Sequence, residues 1–399
     1  MTLQGGLLFK LDCAAGEVRD VSLTSARPLQ LSHILRGKTI VEGLASMGLM
    51  YRICSVAQRA AGLAAWRQAT GIAVTASVLQ AQAVLLKLES LREHLVQVLM
   101  IWPQLRGEAP VRDKELSLVA RVMAEMEQAL FAAGQGMTVD AKVVPEPSQL
   151  SRLLKDLQAL IETHVCGMNM EQWLTLREPA QLCDWAAKQQ SDAAKFVQFI
   201  VANEWQRLGS TAIDSVALPL DAVPTIGQQL SDPGRDELIA KPSWQGRCCE
   251  TNVYTRQLAQ PLVAAASRKW GNGLLARVTA RLVELLGLFG AIRHDVTMLV
   301  NGECDGVIPS AKTDVNGVGL GVVDASRGCL IHRLRLARER IADYAILAPT
   351  EWNFHPAGIA VQGVIGLRFN SEAQLRTKVA MWINAIDPCV GHDLKINGL

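Results

Sequence analysis

Along most of the chain, apolar positions recur at the three- and four-residue spacing of helices. Val84, Leu88, Leu91, Leu95, Val98 and Trp102 fall on one stripe, with Lys87, Glu93 and Gln97 away from its centre. Leu116, Val119, Met123, Met126 and Leu130 make a second stripe, stopped near Gly134, and Leu150, Leu153, Leu157 and Ile161 a third. A helical segment resumes near Tyr254 and carries Leu275, Val278, Leu282, Leu285 and Phe289. Stripes of this kind are core packing and are assigned no chemistry. VVPEPSQ reads as a short linker between helices, and Ser215–Asp236 as a longer irregular stretch.

The two ends have a different pattern. GGLLFKLD followed by GEVRDVSL reads as a pair of short strands. In the last quarter NGVGLGVVDASRG is rich in glycine, while GCLIHRLRLA alternates apolar with polar, as a half-buried strand does. ARERIAD is a polar turn and YAILAP the return strand. A helix from about Ser371 to Asn384 leads into IDPCVGH, where Pro388 after Asp387 fixes the backbone and stops the helix. There is no internal repeat and no low-complexity segment. The expected fold is mainly α with small antiparallel β-sheets, in a single domain over residues 1–399.

Composition removes whole classes of function. With 49% hydrophobic residues the chain can bury a large core, and 40 basic against 38 acidic residues give no field to attract nucleic acid or an anionic membrane. No apolar run reaches the ~18 residues of a membrane span. MTLQGGLLFKLDCAAGEV lacks the charged start and long apolar run of a signal peptide. Nine cysteines in such a chain point to reduced thiols in the cytoplasm, and the absence of any CxxC argues against a structural zinc site.

Candidate chemistry centres on thiols. Cys54, in YRICSVAQ, and Cys389, in IDPCVGH, sit on turn-like punctuation but too far apart for spacing to pair them. Vicinal Cys248 and Cys249 offer a redox pair or a chance juxtaposition, and Cys13, Cys166, Cys183, Cys304 and Cys329 read as small core residues. The seven histidines form neither HxxxH nor HExxH, and GxSxG and Walker loops are absent.

Several stretches taken in order resemble the large subunits of nickel–iron hydrogenases. YRICSVAQ resembles their RxCGxC segment and IDPCVGH their DPCxxC. Between these, KPSWQGRCCETNVYTR is similar to PxxxGxxxExGxxxR, GNGLLARVTARLVELL to the GRxxAR helix, DASRGCLIHRL to APRGxLxH and LAPTEWNFHP to PTTWNxxP. The departures are as informative. Of the family's four metal-binding cysteines only Cys54 and Cys389 remain, and the two bridging positions hold Ala57 and His392. The later histidine falls on Lys395, the proton-gate glutamate on Ser32, and the histidine-rich helix keeps only His94. The chain also stops soon after the motif, without the family's removable extension.

The resemblance implies a fold like that of the large subunit without its bimetallic centre, since Ala57 cannot bridge two metals. It implies that Cys54 and Cys389 could hold one soft, low-spin iron(II) carrying cyanide and carbon monoxide, Fe(CN)2(CO), with no nickel. Arg327 and Thr350 stand at the family's cyanide-facing positions, and Arg52 belongs to the first cysteine motif. Asp387 reads either as a pocket group or as the turn residue that shapes the corner, and His392 as a ligand or a tail histidine. The combination resembles hydrogenase maturation proteins of the HupK/HoxV type. It implies a non-catalytic scaffold that carries the iron fragment, with a large-subunit precursor and a small iron-delivering chaperone as partners. A metal-free mimic that recruits maturation factors, or a divergent hydrogenase, are the alternatives.

Overall fold

The computed structural model describes residues 6–108, 113–212, 217–219, 221–310 and 317–398. Strand β1 (Leu7–Ala14) and strand β2 (Glu17–Ser25) form the expected antiparallel hairpin. Alternation sends Leu7, Phe9, Leu11 and Cys13 inward, and Ala15 and Gly16, both at positive φ, close the two-residue turn. The edge of this sheet is covered from the other end of the chain. Residues His392–Asn397 (β8 in chain order) pair with β1 in parallel, Leu7 opposite His392 and Asp12 opposite Asn397. The tail is thus a strand, and one of the small sheets is mixed. Six residues of weak alternation could not announce a partner almost a whole chain away.

Helix α1 (Ile40–Met50) opens on a capping box in which the Thr39 hydroxyl and the Glu42 carboxylate satisfy each other's backbone N–H groups. Helix α2 (Ser55–Thr70) and helix α3 (Ala76–Val96) follow. α3 is buried nearly all round, so Glu89, Glu93 and Gln97, four residues apart, form a second inward-facing stripe. Glu93 and Gln97 lie off the centre of the apolar stripe, as expected, yet they are buried. α3 then runs into a π-helical turn, Gln97–Ile101. Such turns carry an extra residue and recur at functional sites.

Between α2 and α3 the ladder β3 (Val74–Thr75) with β4 (Val307–Ile308) ties two loops together. The third sheet is antiparallel and orders β5 (Val318–Ala325), β6 (Gly328–Ala337) and β7 (Arg340–Leu347) consecutively. The glycine-rich stretch is therefore a strand. Its glycines are needed because α2 lies directly on it: a Cβ at Gly319 or Gly321 would stand 1.9 Å from the carbonyl oxygen of Ala65 or Ala61. The polar turn shrinks to Arg338 and Glu339, both at positive φ.

Within the stretch expected to be irregular, Ala222–Gln229 is helical and a helix Arg235–Ala240 begins; Ser215, Val216 and Leu220 lie outside the described residues. The helix Leu274–Val300 runs through the core, and the last helix, Glu372–Ile386, packs Leu375, Val379, Trp382 and Ile383 against the first hairpin. No helix among the described residues is long and apolar enough to cross a membrane.

Candidate metal centre

Cys54 and Cys389 line one cavity of about 30 Å³, together with Arg27, Tyr51, Gln58 and Arg327. Cys54 precedes the first residue of α2 and offers that helix no capping side chain. The cap is borrowed. Glu89 on α3 accepts the N–H groups of Val56 at 2.8 Å and Ala57 at 3.0 Å through its two carboxylate oxygens. Burial pushes the Glu89 carboxyl up to about 7 despite these two bonds. Burial also pushes the Cys54 thiol up to about 12, helped by the charges of Cys389 and Glu89 and opposed by Arg327. Arg92 reaches the Ile53 carbonyl and so closes the turn that leads into Cys54.

Cys389 is mounted differently. Asp387 ends the last helix in the left-handed region, at φ 71° and ψ 81°, which turns the chain so that Cys389 reaches the cavity. Its side chain is 5% exposed and fully engaged: Arg281 donates to Oδ2 at 2.9 Å and Gln97 to Oδ1 at 3.1 Å, with Arg327 at 3.4 Å. Burial raises this carboxyl, but Arg327 and Arg281 outweigh it and hold it below the usual range. Asp387 is therefore both the turn residue and a buried anion. The Cys389 thiol shares a hydrogen bond with Thr350 Oγ1 at 3.1 Å.

Arg327 sits between the two mounts. It donates to Glu93 at 3.0 Å, faces Asp387, and its carbonyl accepts from Asn353 at 2.8 Å. Its Nε is buried without a partner. Asn353 also accepts the Thr251 N–H at 2.9 Å, so the PTEWN and CCETN segments lock the arginine's backbone between them. Deeper in, fully buried His94 bonds Glu284 at 3.1 Å, and Arg256 holds the same carboxylate at 2.6 Å. Burial lowers the His94 pKa, opposed by its bond to Glu284.

The remaining expected residues fall elsewhere. Arg52 and His392 are exposed, His392 on β8, and neither lines the cavity. Ser32 is buried and bonds the Tyr344 carbonyl beside a neighbouring cavity, and Ala57 is buried at the start of α2. Cys248 lies 3.1 Å from His355 rather than in a disulfide with Cys249. Among the described residues no group of three or more His, Cys, Asp or Glu side chains is placed to hold a metal ion. A metal at this cavity would rest on the two thiols. They suit a soft iron(II), and the guanidinium with an unpartnered N–H suits an anionic ligand on it.

Sequence reasoning missed Arg27, Glu89 and Arg281. Glu89 and Glu93 carried a usable signal, two acids four residues apart inside an apolar helix. Arg27, in SARPLQ, carried none.

The nickel-dependent hydrogenase family matches residues 250–391. Over 99% of its length the chain is 27% identical to the hydrogenase expression/formation protein HupK of Azotobacter vinelandii, of which it covers 99%. It is likewise 27% identical to the hydrogenase expression/formation protein HoxV of Cupriavidus necator, over 99% of this chain and 97% of that one. Among solved structures, the Ni-Fe-Se hydrogenase from Desulfomicrobium baculatum superposes with a TM-score of 0.66 over 95% of both chains at 14% identity, a likeness of fold alone. Over nearly its whole length the chain is homologous to the hydrogenase expression/formation proteins HupK, HupV and HoxV, and it shares the fold of the nickel-dependent hydrogenase large subunit.

Proposed function

We propose that this protein is a non-catalytic scaffold of nickel–iron hydrogenase maturation that holds the Fe(CN)2(CO) fragment on Cys54 and Cys389 before transfer to a hydrogenase large subunit. The names of its relatives support a role in hydrogenase expression and formation. The observation that carries the finer reading is the shared cavity: thiols from opposite ends of the chain meet beside Arg327, while the bridging position next to Cys54 is the buried methyl of Ala57. Two thiolates can hold one iron. They give no bridged pair, so nickel has no place in the proposal.

A cavity of about 30 Å³ has room for two or three waters at roughly 10–15 Å³ each. Loading therefore widens it. The wall best placed to move is the turn before α2, where Ile53 is 40% exposed. The partners we propose are a large-subunit precursor and a small iron-delivering chaperone, in the cytoplasm. Infrared spectra of anaerobically purified protein test the reading. Cyanide and carbonyl bands, lost in Cys54→Ala and in Cys389→Ala, are the expected result. Full hydrogenase maturation in cells carrying either Ala variant would favour a metal-free mimic instead.

A further inference from the structure

Thr350 was expected to face the cargo, yet its hydroxyl is engaged with Cys389 and the residue is not on the wall of the thiol cavity. It lines an adjoining cavity of about 350 Å³, with Lys241, Phe354 and Pro356, and Arg27 borders both cavities. That arginine, from the segment that follows the first hairpin, is the donor that lines the thiol cavity beside Arg327. Its side chain is 14% exposed and, among the described residues, makes one polar contact, from Nη1 to Glu351 Oε1 at 2.7 Å. A guanidinium carries five N–H groups, so most of its donors are uncommitted. Glu351 does not draw more of them, and its Oε2 is buried without a partner.

The cargo's chemistry matches this arrangement. Its two cyanides are anionic and end in accepting nitrogens; its carbonyl accepts weakly. Iron(II) with two cyanides is neutral, so the two thiolates leave the bound complex with two negative charges. Arg327 already faces two carboxylates, Glu93 and Asp387, whereas Arg27 faces one. Ala325, Leu330, Ala348 and Pro349 supply an apolar stretch of the same wall, suited to the carbonyl.

We infer that Arg27 is the second cyanide-binding residue of this carrier: Arg327 donates to one cyanide nitrogen and Arg27 to the other, which makes the cavity selective for a dicyano iron. The inference rests on the carrier reading. The test uses full-length protein purified anaerobically from cells making an active nickel–iron hydrogenase, with iron content and infrared spectra as readouts. In Arg27→Met the two cyanide bands, coupled through their shared iron, should shift and change their separation, and iron content should fall about tenfold. Arg27→Lys should restore part of the iron without restoring the band positions. Because Arg27→Met strands Glu351, the double variant Arg27→Met with Glu351→Leu removes the pair together, and it should show the same shifted bands in a protein that melts near the parent. Both cyanide bands and the iron content unchanged in the double variant would overturn the inference and leave the carrier standing. A parent protein without cyanide bands would remove the carrier reading itself.

Discussion

The two thiols reach the same cavity on mounts of different physical kinds. Cys54 is held by long-range polar contacts: α2 begins without a cap of its own, and its first N–H groups are satisfied by Glu89 from the next helix. The height of that helix over the sheet is set by Gly319 and Gly321. Cys389 is held by a local turn that is then clamped. Asp387 takes a left-handed conformation beside Pro388, two arginines and Gln97 fix its carboxylate, and β8 ties the following residues to β1. A helix start tolerates small shifts and a clamped corner does not. The Cys54 side is therefore the one that can yield when the cavity widens, and the Cys389 side is the fixed reference.

The sharpest way to break this contrast is at the corner. Asp387→Ala leaves Arg281 and Arg327 buried with one carboxylate fewer and should destabilise the protein by about 3–5 kcal/mol in denaturant unfolding. A loss below about 1 kcal/mol would mean the corner is not clamped by charge.

The borrowed cap makes the Cys54 side pH-dependent. The Glu89 carboxyl is raised to about 7 in the fold, above its unfolded value near 4.3, so between those values the native state binds the extra proton. Stability from this group is complete below about pH 4.3 and is lost as pH rises through 7, by up to roughly 4 kcal/mol. Glu89→Gln should flatten that slope in melts taken from pH 5 to 8, while a parallel slope in variant and parent would rule Glu89 out as its source.

The seating of α2 comes next in size. Gly321→Ala drives a methyl against the Ala61 carbonyl and should cost roughly 1–3 kcal/mol, near the upper end because the obstacle is backbone. It should also speed alkylation of Cys54 more than of Cys389, as measured by peptide mass spectrometry. The smallest effect belongs to Thr350→Val, which removes one hydrogen bond to Cys389 and should cost about 0.5–1.5 kcal/mol. Equal alkylation of both thiols in all four variants would erase the distinction between the mounts.

The long helical stripes, the first hairpin and the β6–β7 return were legible because each is written in a local period. The β5 strand was obscured, since glycines that serve close packing read as loop when the helix above them is unseen. β8 was missed for the same reason in a stronger form: its partner is at the other end of the chain.

For the site, sequence by itself determined the residue types: two thiols on rigid punctuation, an arginine in DASRG, a small residue where a bridging thiol would stand. Those are properties of single positions and survive in a string of letters. Only the tertiary structure decided that Cys54 and Cys389 share a cavity, that Arg27 rather than Thr350 lines it, that Glu89 caps the helix after Cys54, and that Arg52 and His392 face solvent. Each of these depends on which distant side chain fills a desolvated space or meets a buried charge, and that choice is made by packing the whole chain at once.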